Sequence, residues 1–327
     1  MEGMLDGQYG DRNRAFLQAM LARGAMTFHE SQSILAAILN AENDGEEVRP
    51  EQITESTFEI YLGAAGEAAS MFDYEIRSTV HQTTKERIYA FVNTASDPQT
   101  QLATIYNHDE LSFIKRVLEA MFDKYNTPRM EVVAVTDMQA IKLARPPRRE
   151  SLAQDEAMPS SQPATDKGLK HSEVETTLGS LVDGGWFEKS REGFYSLTPR
   201  ALLELRPWLT GTFNDPDAEK DEWQRVKFCE ACKEIVTVGL RCADPDCIFR
   251  IHDICQDAFW RARRSKNCPQ CSREWEQPLY VGERAVTMTD AYQRGKRQSG
   301  GRRSTLADDI VREQAMDEEE EDTEGQP

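Results

Sequence analysis

Cys229-x2-Cys232-x9-Cys242-x4-Cys247-x4-His252-x2-Cys255-x12-Cys268-x2-Cys271 holds all seven cysteines of the chain and one of its five histidines. A thiolate binds Zn2+ tightly, and a Cys-x2-Cys turn sets two sulfurs along one edge of a tetrahedron. The stretch contains three short ligand pairs, Cys229/Cys232, His252/Cys255 and Cys268/Cys271, and a looser fourth, Cys242/Cys247. Eight ligands make two four-ligand sites with nothing left over. Unrelated buried thiols would not fall in one window at pair spacing and nowhere else. Four pairs can fill two sites in sequence or by interleaving. A single His in fifth place is typical of the interleaved, cross-braced kind. Cys229, Cys232, His252 and Cys255 then share one metal, and Cys242, Cys247, Cys268 and Cys271 the other. A module spanning about residues 226–275 has little core, so two Zn2+ would supply much of its folding energy.

The neighbours of the ligands decide between two cross-braced classes. A PHD finger, which reads histone tails, carries an aromatic residue two places before the seventh ligand, where this chain has Lys266. A RING finger, which binds ubiquitin-conjugating enzymes, often has Pro after the seventh ligand, and Pro269 stands there. A RING also has a short helix after the sixth ligand, and Asp257-Ala258-Phe259-Trp260-Arg261-Ala262-Arg263 fits it. RING is therefore the better reading, with the histone-tail reader a lower alternative.

Upstream, hydrophobic spacing predicts two winged helices, at residues 12–95 and 105–210. In the first, Phe16, Leu17, Met20 and Leu21 mark a helix that Gly24 ends. Thr27-Phe28-His29-Glu30 is a capping box for the next, and Phe58, Ile60, Tyr61 and Leu62 begin a third. Tyr74 to Val80 and Arg87 to Val92 alternate as two strands around a polar turn. The order recurs: a helix from about Asp109 to Tyr125, a helix or short strand near Val132 to Leu143, and a helix capped at Ser172-Glu173-Val174-Glu175 and stopped by Gly184-Gly185. A hairpin follows, then a helix opened by Thr198-Pro199. Residues 145–166, rich in Pro, Ser and charge, read as a mobile insertion, and 206–221 as a connector. Residues 290–327 read as a disordered tail, basic (Arg294, Lys296, Arg297, Arg302, Arg303) and then acidic (Asp317 to Asp322).

The fold class is thus α+β and multidomain, tandem winged helices followed by a cross-braced two-zinc RING-like domain. Two winged helices ahead of a RING-like module with one His in fifth place resemble the non-SMC element 1 family, in what looks like a fungal version, over about residues 12–275. The most specific stretch runs from Cys229-Glu-Ala-Cys232 to Cys268-Pro-Gln-Cys271. The resemblance implies a nuclear ubiquitin ligase subunit of the DNA-repair SMC complex, acting in repair and recombination beside a MAGE-like winged-helix subunit and a kleisin.

With every cysteine assigned to metal, none can carry ubiquitin as a thioester, so there is no covalent catalytic residue. Transfer would be direct: the module holds a charged conjugating enzyme and orients its thioester for attack by a substrate lysine. The expected docking surface is Glu230, Ala231, Phe259, Trp260 and Pro269. Ala231 is small where many RINGs have a larger apolar residue, and Ser272 follows the last ligand where an Arg would help clamp the thioester. Weak activity without a partner is therefore expected. The alternative is a non-enzymatic zinc scaffold that docks the MAGE-like partner and kleisin.

A net charge of −18 argues against coating DNA by bulk charge. The helix over Ser172 to Asp183 carries Glu173, Glu175 and Asp183, which repel phosphate. Trp186, Phe187, Phe194 and Tyr195 read as hairpin core rather than a base-stacking platform. His29, His81, His108 and His171 lack ligand spacing. No membrane span and no secretory peptide are expected. Without a Gly-rich phosphate loop, ATP hydrolysis would belong to a partner.

Overall fold

The structure, a computed structural model, describes residues 9–41, 47–94, 105–146, 166–219, 222–263, 265–276, 278–298 and 306–311. It opens with helix α1 (Asp11–Arg23), strand β1 (Ala25–Thr27), helices α2 (Phe28–Ala41) and α3 (Glu55–Ser70), and strands β2 (Tyr74–Val80) and β3 (Arg87–Asn93). Gly24 ends α1 at a φ of 70°, where its amide donates to the Met20 carbonyl, a backbone state that suits a residue without Cβ. The capping box forms: the Thr27 amide donates to the Glu30 carboxylate (2.7 Å) and the Glu30 amide to the Thr27 hydroxyl (3.2 Å). Strand β3 lies in the middle of an antiparallel sheet, with Ile88 opposite both Thr27 and Thr79. Phe16, Met20, Leu35 and Phe58 fill the core beneath.

The same order follows with α4 (His108–Glu119), β4 (Val135–Thr136), α5 (Asp137–Lys142), α6 (His171–Asp183), β5 (Phe187–Lys189) and β6 (Phe194–Leu197), again with the last strand in the middle of its sheet. Three details differ from the sequence reading. The helix expected to reach Tyr125 widens into a π-helical turn over Ala120–Lys124. The wider turn re-aims its residues, and Ala120, Met121 and Phe122 are all buried. Helix α6 starts before Ser172: Glu173 accepts from the Lys170 amide (2.7 Å), while Glu175 pairs sideways with His171 (3.7 Å) and leaves Ser172 inside the helix. Helix α7 (Pro199–Phe213) runs on into the first part of the expected connector although Pro207 lies within it. Leu205 and Leu209 are buried one turn apart, and that burial outweighs the backbone bond proline forgoes. Of the expected insertion, Asp166 pairs with Arg116; residues 147–165 lie outside the described residues.

The third unit is a small sheet of β7 (Gly239–Arg241), β8 (Arg250–Ile251) and β9 (Leu279–Val281), with β7 central, and helix α8 (Asp253–Arg261). Strand β9 lies beyond the expected end at Trp275, because β7 has a second edge to pair: Leu240 faces both Ile251 and Tyr280. Helix α9 (Arg284–Thr287) follows, and the tail expected from residue 290 is not disordered throughout, as α10 (Asp290–Gln298) and a helical stretch at 306–311 lie within it. Tyr292 is fully buried, and its hydroxyl donates to Glu192 (3.0 Å). Ala307, Ile310 and Val311 are buried at helical spacing inside a charged segment, a small apolar face that composition alone conceals. Arg302, Arg303 and the acidic run lie outside the described residues.

One apolar core extends from Tyr106 to Val311 and joins the second winged helix to the sheet of β7–β9. The first winged helix keeps its own core and meets α7 where Ala90 and Val92 touch Leu203. Trp186, Phe187, Phe194 and Tyr195 are buried hairpin core. Among the described residues no helix is long and apolar enough to cross a membrane.

Candidate metal centres

Two loops of identical build frame the module. In the first, the Lys233 amide donates to the Cys229 carbonyl (2.8 Å) and the Cys229 amide to the Glu234 carbonyl (2.8 Å). In the second, the Ser272 amide donates to the Cys268 carbonyl (2.9 Å) and the Cys268 amide to the Arg273 carbonyl (2.7 Å). Each loop turns on a left-handed residue, Lys233 at φ 62° and Ser272 at φ 61°. The turn aims both sulfurs of its Cys-x2-Cys pair to one side.

The fold then interleaves the pairs. The ligand atoms of Cys229, Cys232, His252 and Cys255 all lie within 4.8 Å of one another, and so do those of Cys242, Cys247, Cys268 and Cys271. Strand β8 makes this possible: it ends beside His252, the residue that opens α8, and α8 carries Cys255. A tetrahedral Zn2+ needs sulfur–sulfur edges of about 3.8 Å and sulfur–nitrogen edges of about 3.6 Å. Cys242 to Cys271 is 3.5 Å and Cys247 to Cys268 is 3.6 Å. His252 Nδ1 stands 3.3 Å from Cys232 Sγ and 3.9 Å from Cys255 Sγ. Burial, with repulsion from Cys229, pushes the Cys255 thiol up to about 11. Burial, with the Cys271 and Cys268 sulfurs beside it, does the same to Cys242. Ionising every thiol in either cluster therefore calls for a cation among them. Three thiolates with an imidazole in one cluster, and four thiolates in the other, are donor sets that suit Zn2+. When bound, such an ion would cross-link the loops, and with all ligand positions filled it leaves no open position for chemistry.

Sequence reasoning missed the polar centre that ties this module to the second winged helix. Glu131 is 2 % exposed. Arg250 grips it with two guanidinium nitrogens, Nε at 2.7 Å from Oε2 and Nη2 on Oε1, while Lys227 Nζ (3.1 Å) and Arg241 Nη1 (3.4 Å) approach the same carboxylate. Burial alone would raise the Glu131 carboxyl; the Arg250 hydrogen bonds and three cations overcome it and hold the group at about 2. Arg250 also donates to the Cys247 carbonyl, and its own carbonyl accepts from the Glu230 amide (2.9 Å). Arg241 and Arg250 inside short apolar strands were the available signal.

The expected docking residues do not form one open apolar face. Glu230 and Ala231 are exposed and Pro269 is half-buried. Phe259 and Trp260 are half-buried with rings turned inward: Phe249 lies 5.7 Å and 6.0 Å from them, and Trp275, absent from the sequence reading of this surface, 5.3 Å from Trp260. His29, His81, His108 and His171 join neither ligand cluster.

Tandem winged helices, the second of them fused through a shared core to a cross-braced RING-like module, define the class of this protein. The family described as "Nse1 non-SMC component of SMC5-6 complex" matches residues 13–205, and the RING-like domain family matches residues 229–271. The chain belongs to the Nse1 family. It is 26 % identical over 245 residues to "Non-structural maintenance of chromosomes element 1" of Schizosaccharomyces pombe, covering 73 % of this chain and 88 % of that protein. It is 22 % identical over 269 residues to the human homolog, covering 82 % and 85 %. A chain in a solved "Nse1-Nse3-Nse4 complex" superposes with a TM-score of 0.61 at 19 % identity, over 83 % of this chain and 98 % of that one.

Proposed function

We propose that this protein is the RING-type ubiquitin ligase subunit of an SMC5-6 complex, acting in the nucleus in DNA repair and recombination. Two Zn2+ hold its module together, one on Cys229, Cys232, His252 and Cys255 and one on Cys242, Cys247, Cys268 and Cys271. The gathering of all eight candidate ligands into two interleaved sets of four carries this reading. The exposed Glu230-Ala231 loop and the Pro269 loop are where a charged ubiquitin-conjugating enzyme would dock. Catalysis is positional, since no thiol is left over as a nucleophile. A MAGE-like Nse3 and a kleisin Nse4 are the expected partners, a reading supported by the likeness to a chain solved in an Nse1-Nse3-Nse4 complex. Direct DNA contact is not favoured, given the acidic residues of α6.

A second reading, a zinc scaffold without ligase activity, is favoured by the inward packing of Phe259 and Trp260. Ubiquitin discharge from several charged conjugating enzymes, with and without the MAGE-like partner, separates the two. The ligase reading expects discharge that the partner raises. No stimulation over a variant lacking Cys268 and Cys271, shown to keep folded winged helices, leaves the scaffold.

A further inference from the structure

The turn between β2 and β3 extends the first winged helix onto the metal module. Gln82 at its tip is 8 % exposed. Its Nε2 donates to the Ile235 carbonyl (2.9 Å), and its Oε1 accepts from the Thr237 amide (3.0 Å), the Val238 amide (2.9 Å) and the Thr237 hydroxyl (3.3 Å). One amide side chain thus satisfies a bend of backbone that would otherwise be buried with its donors unpaired. The Ile235 carbonyl accepts a second bond, from His252 Nε2 at 3.1 Å. That bond fixes the proton on Nε2, leaves the Nδ1 lone pair facing Cys232 and Cys255, and sets the plane of the ring.

We propose that Gln82 is a positioning residue for the Cys229–Cys232–His252–Cys255 site, acting through the Ile235 carbonyl; the proposal rests on the metal reading of that cluster. Gln82 Nε2 and His252 Nε2 share one acceptor, so the wing turn holds the oxygen that orients the histidine ligand. Both ends of the amide are needed. A Glu at 82 could still accept from Thr237 and Val238, but would set a second oxygen against the Ile235 carbonyl. The all-cysteine site has a different support, since Arg250, held by Glu131, bonds the Cys247 carbonyl. Each winged helix thereby sends one polar side chain toward one metal site, and loosening Gln82 acts on the histidine-containing site alone.

The test uses the full chain loaded with 113Cd, in which the histidine-containing and all-cysteine sites give separate resonances, challenged with excess chelator. In Gln82→Ala and Gln82→Glu the resonance of the histidine-containing site is expected to decay about tenfold faster, the lower end of what loss of an outer ligand partner does to metal binding. The resonance of the all-cysteine site should keep its wild-type decay, and the His252 Nε2–H signal should move. Thr84→Ala, in the same turn, should change none of these. Gln82→Glu retains the acceptor for Thr237 and Val238 and serves if the alanine variant unfolds. Wild-type decay with an unmoved His252 signal, or equal acceleration at both sites, overturns the role of Gln82. A wild-type chain that takes up no metal overturns the metal reading itself, and this proposal with it.

Discussion

Replacing Glu131 with Gln keeps the shape of the side chain and removes its charge from the midst of Lys227, Arg241 and Arg250. The folded state holds the Glu131 carboxyl at about 2 against an ordinary 4.5. That difference corresponds to about 3 kcal/mol of preference for the ionised form. The sign is that of a depressed carboxylate: the stabilisation is complete above pH 4.5 and is lost as pH falls from there toward 2. At pH 7 the Glu131→Gln variant forgoes all of it. Arg241 and Arg250 are left at 1 % and 0 % exposure facing an uncharged amide. Removing one partner of a buried ion pair costs about 3–5 kcal/mol, and about 1 kcal/mol moves the melting temperature of a unit the size of the one that shares the Tyr106 to Val311 core by about 2–4 °C. The variant should therefore melt roughly 6–20 °C below its parent at pH 7, both measured with the same metal content. Hydrogen exchange should show β7 and β8 opening while β2 and β3 stay protected. A melt within about 2 °C of the parent, with β7 and β8 equally protected in both, would refute the account of Glu131 as the clasp between the two units.

Three further substitutions test other parts of the fold. Gly239→Ala sets a Cβ onto the backbone oxygen of Ile251 across the sheet; it should lower stability by about 2 kcal/mol or more, read by thermal melting, because backbone cannot step aside cheaply. Ser272→Gly should stabilise the zinc-loaded module by up to about 1 kcal/mol and Ser272→Val should destabilise it by more, since the position sits at φ 61°; chelator-induced metal loss reports both. Tyr292→Ala empties a fully buried site at a cost of about 3–5 kcal/mol, and exchange at 306–311 should rise to that of free chain.

The two cysteine and histidine clusters were legible because four-coordinate geometry would impose short, countable spacings on the sequence. The winged helices were legible because each buries one face of local periodicity, and Thr27 with Glu30 marks a helix start within four residues. What stayed hidden depends on partners far apart in the chain. Glu131 precedes an apolar run, and nothing near it announces Arg250. Gln82 looks like an ordinary turn residue until Ile235 is placed beside it. The order in the tail is hidden for a related reason: Ala307, Ile310 and Val311 are too few to outweigh surrounding charge in composition, yet enough to seat one helical turn against an existing core. Ser172 resembles a cap because Glu173 and Glu175 each offer a reaching carboxylate, and only the backbone shows which one is used.

The return of residues 306–311 to the core of the second winged helix bears on how the chain is made. Domains close in the order in which they leave the ribosome. The first winged helix, with its own core, can close as soon as β3 has emerged. The second shares its core with β7–β9, Tyr292 and Val311, and Lys142 waits for its ion pair with Asp308. Its apolar interior therefore stays uncovered from the synthesis of Phe213 to that of Val311, a little under a third of the protein. A premature stop just after Trp275 would spare every residue of the two cysteine and histidine clusters yet remove β9 and these late contacts. Such a chain is predicted to be captured by chaperones and cut by protease within residues 105–213, whereas the full-length chain resists; equal resistance of the two would contradict this order of closure.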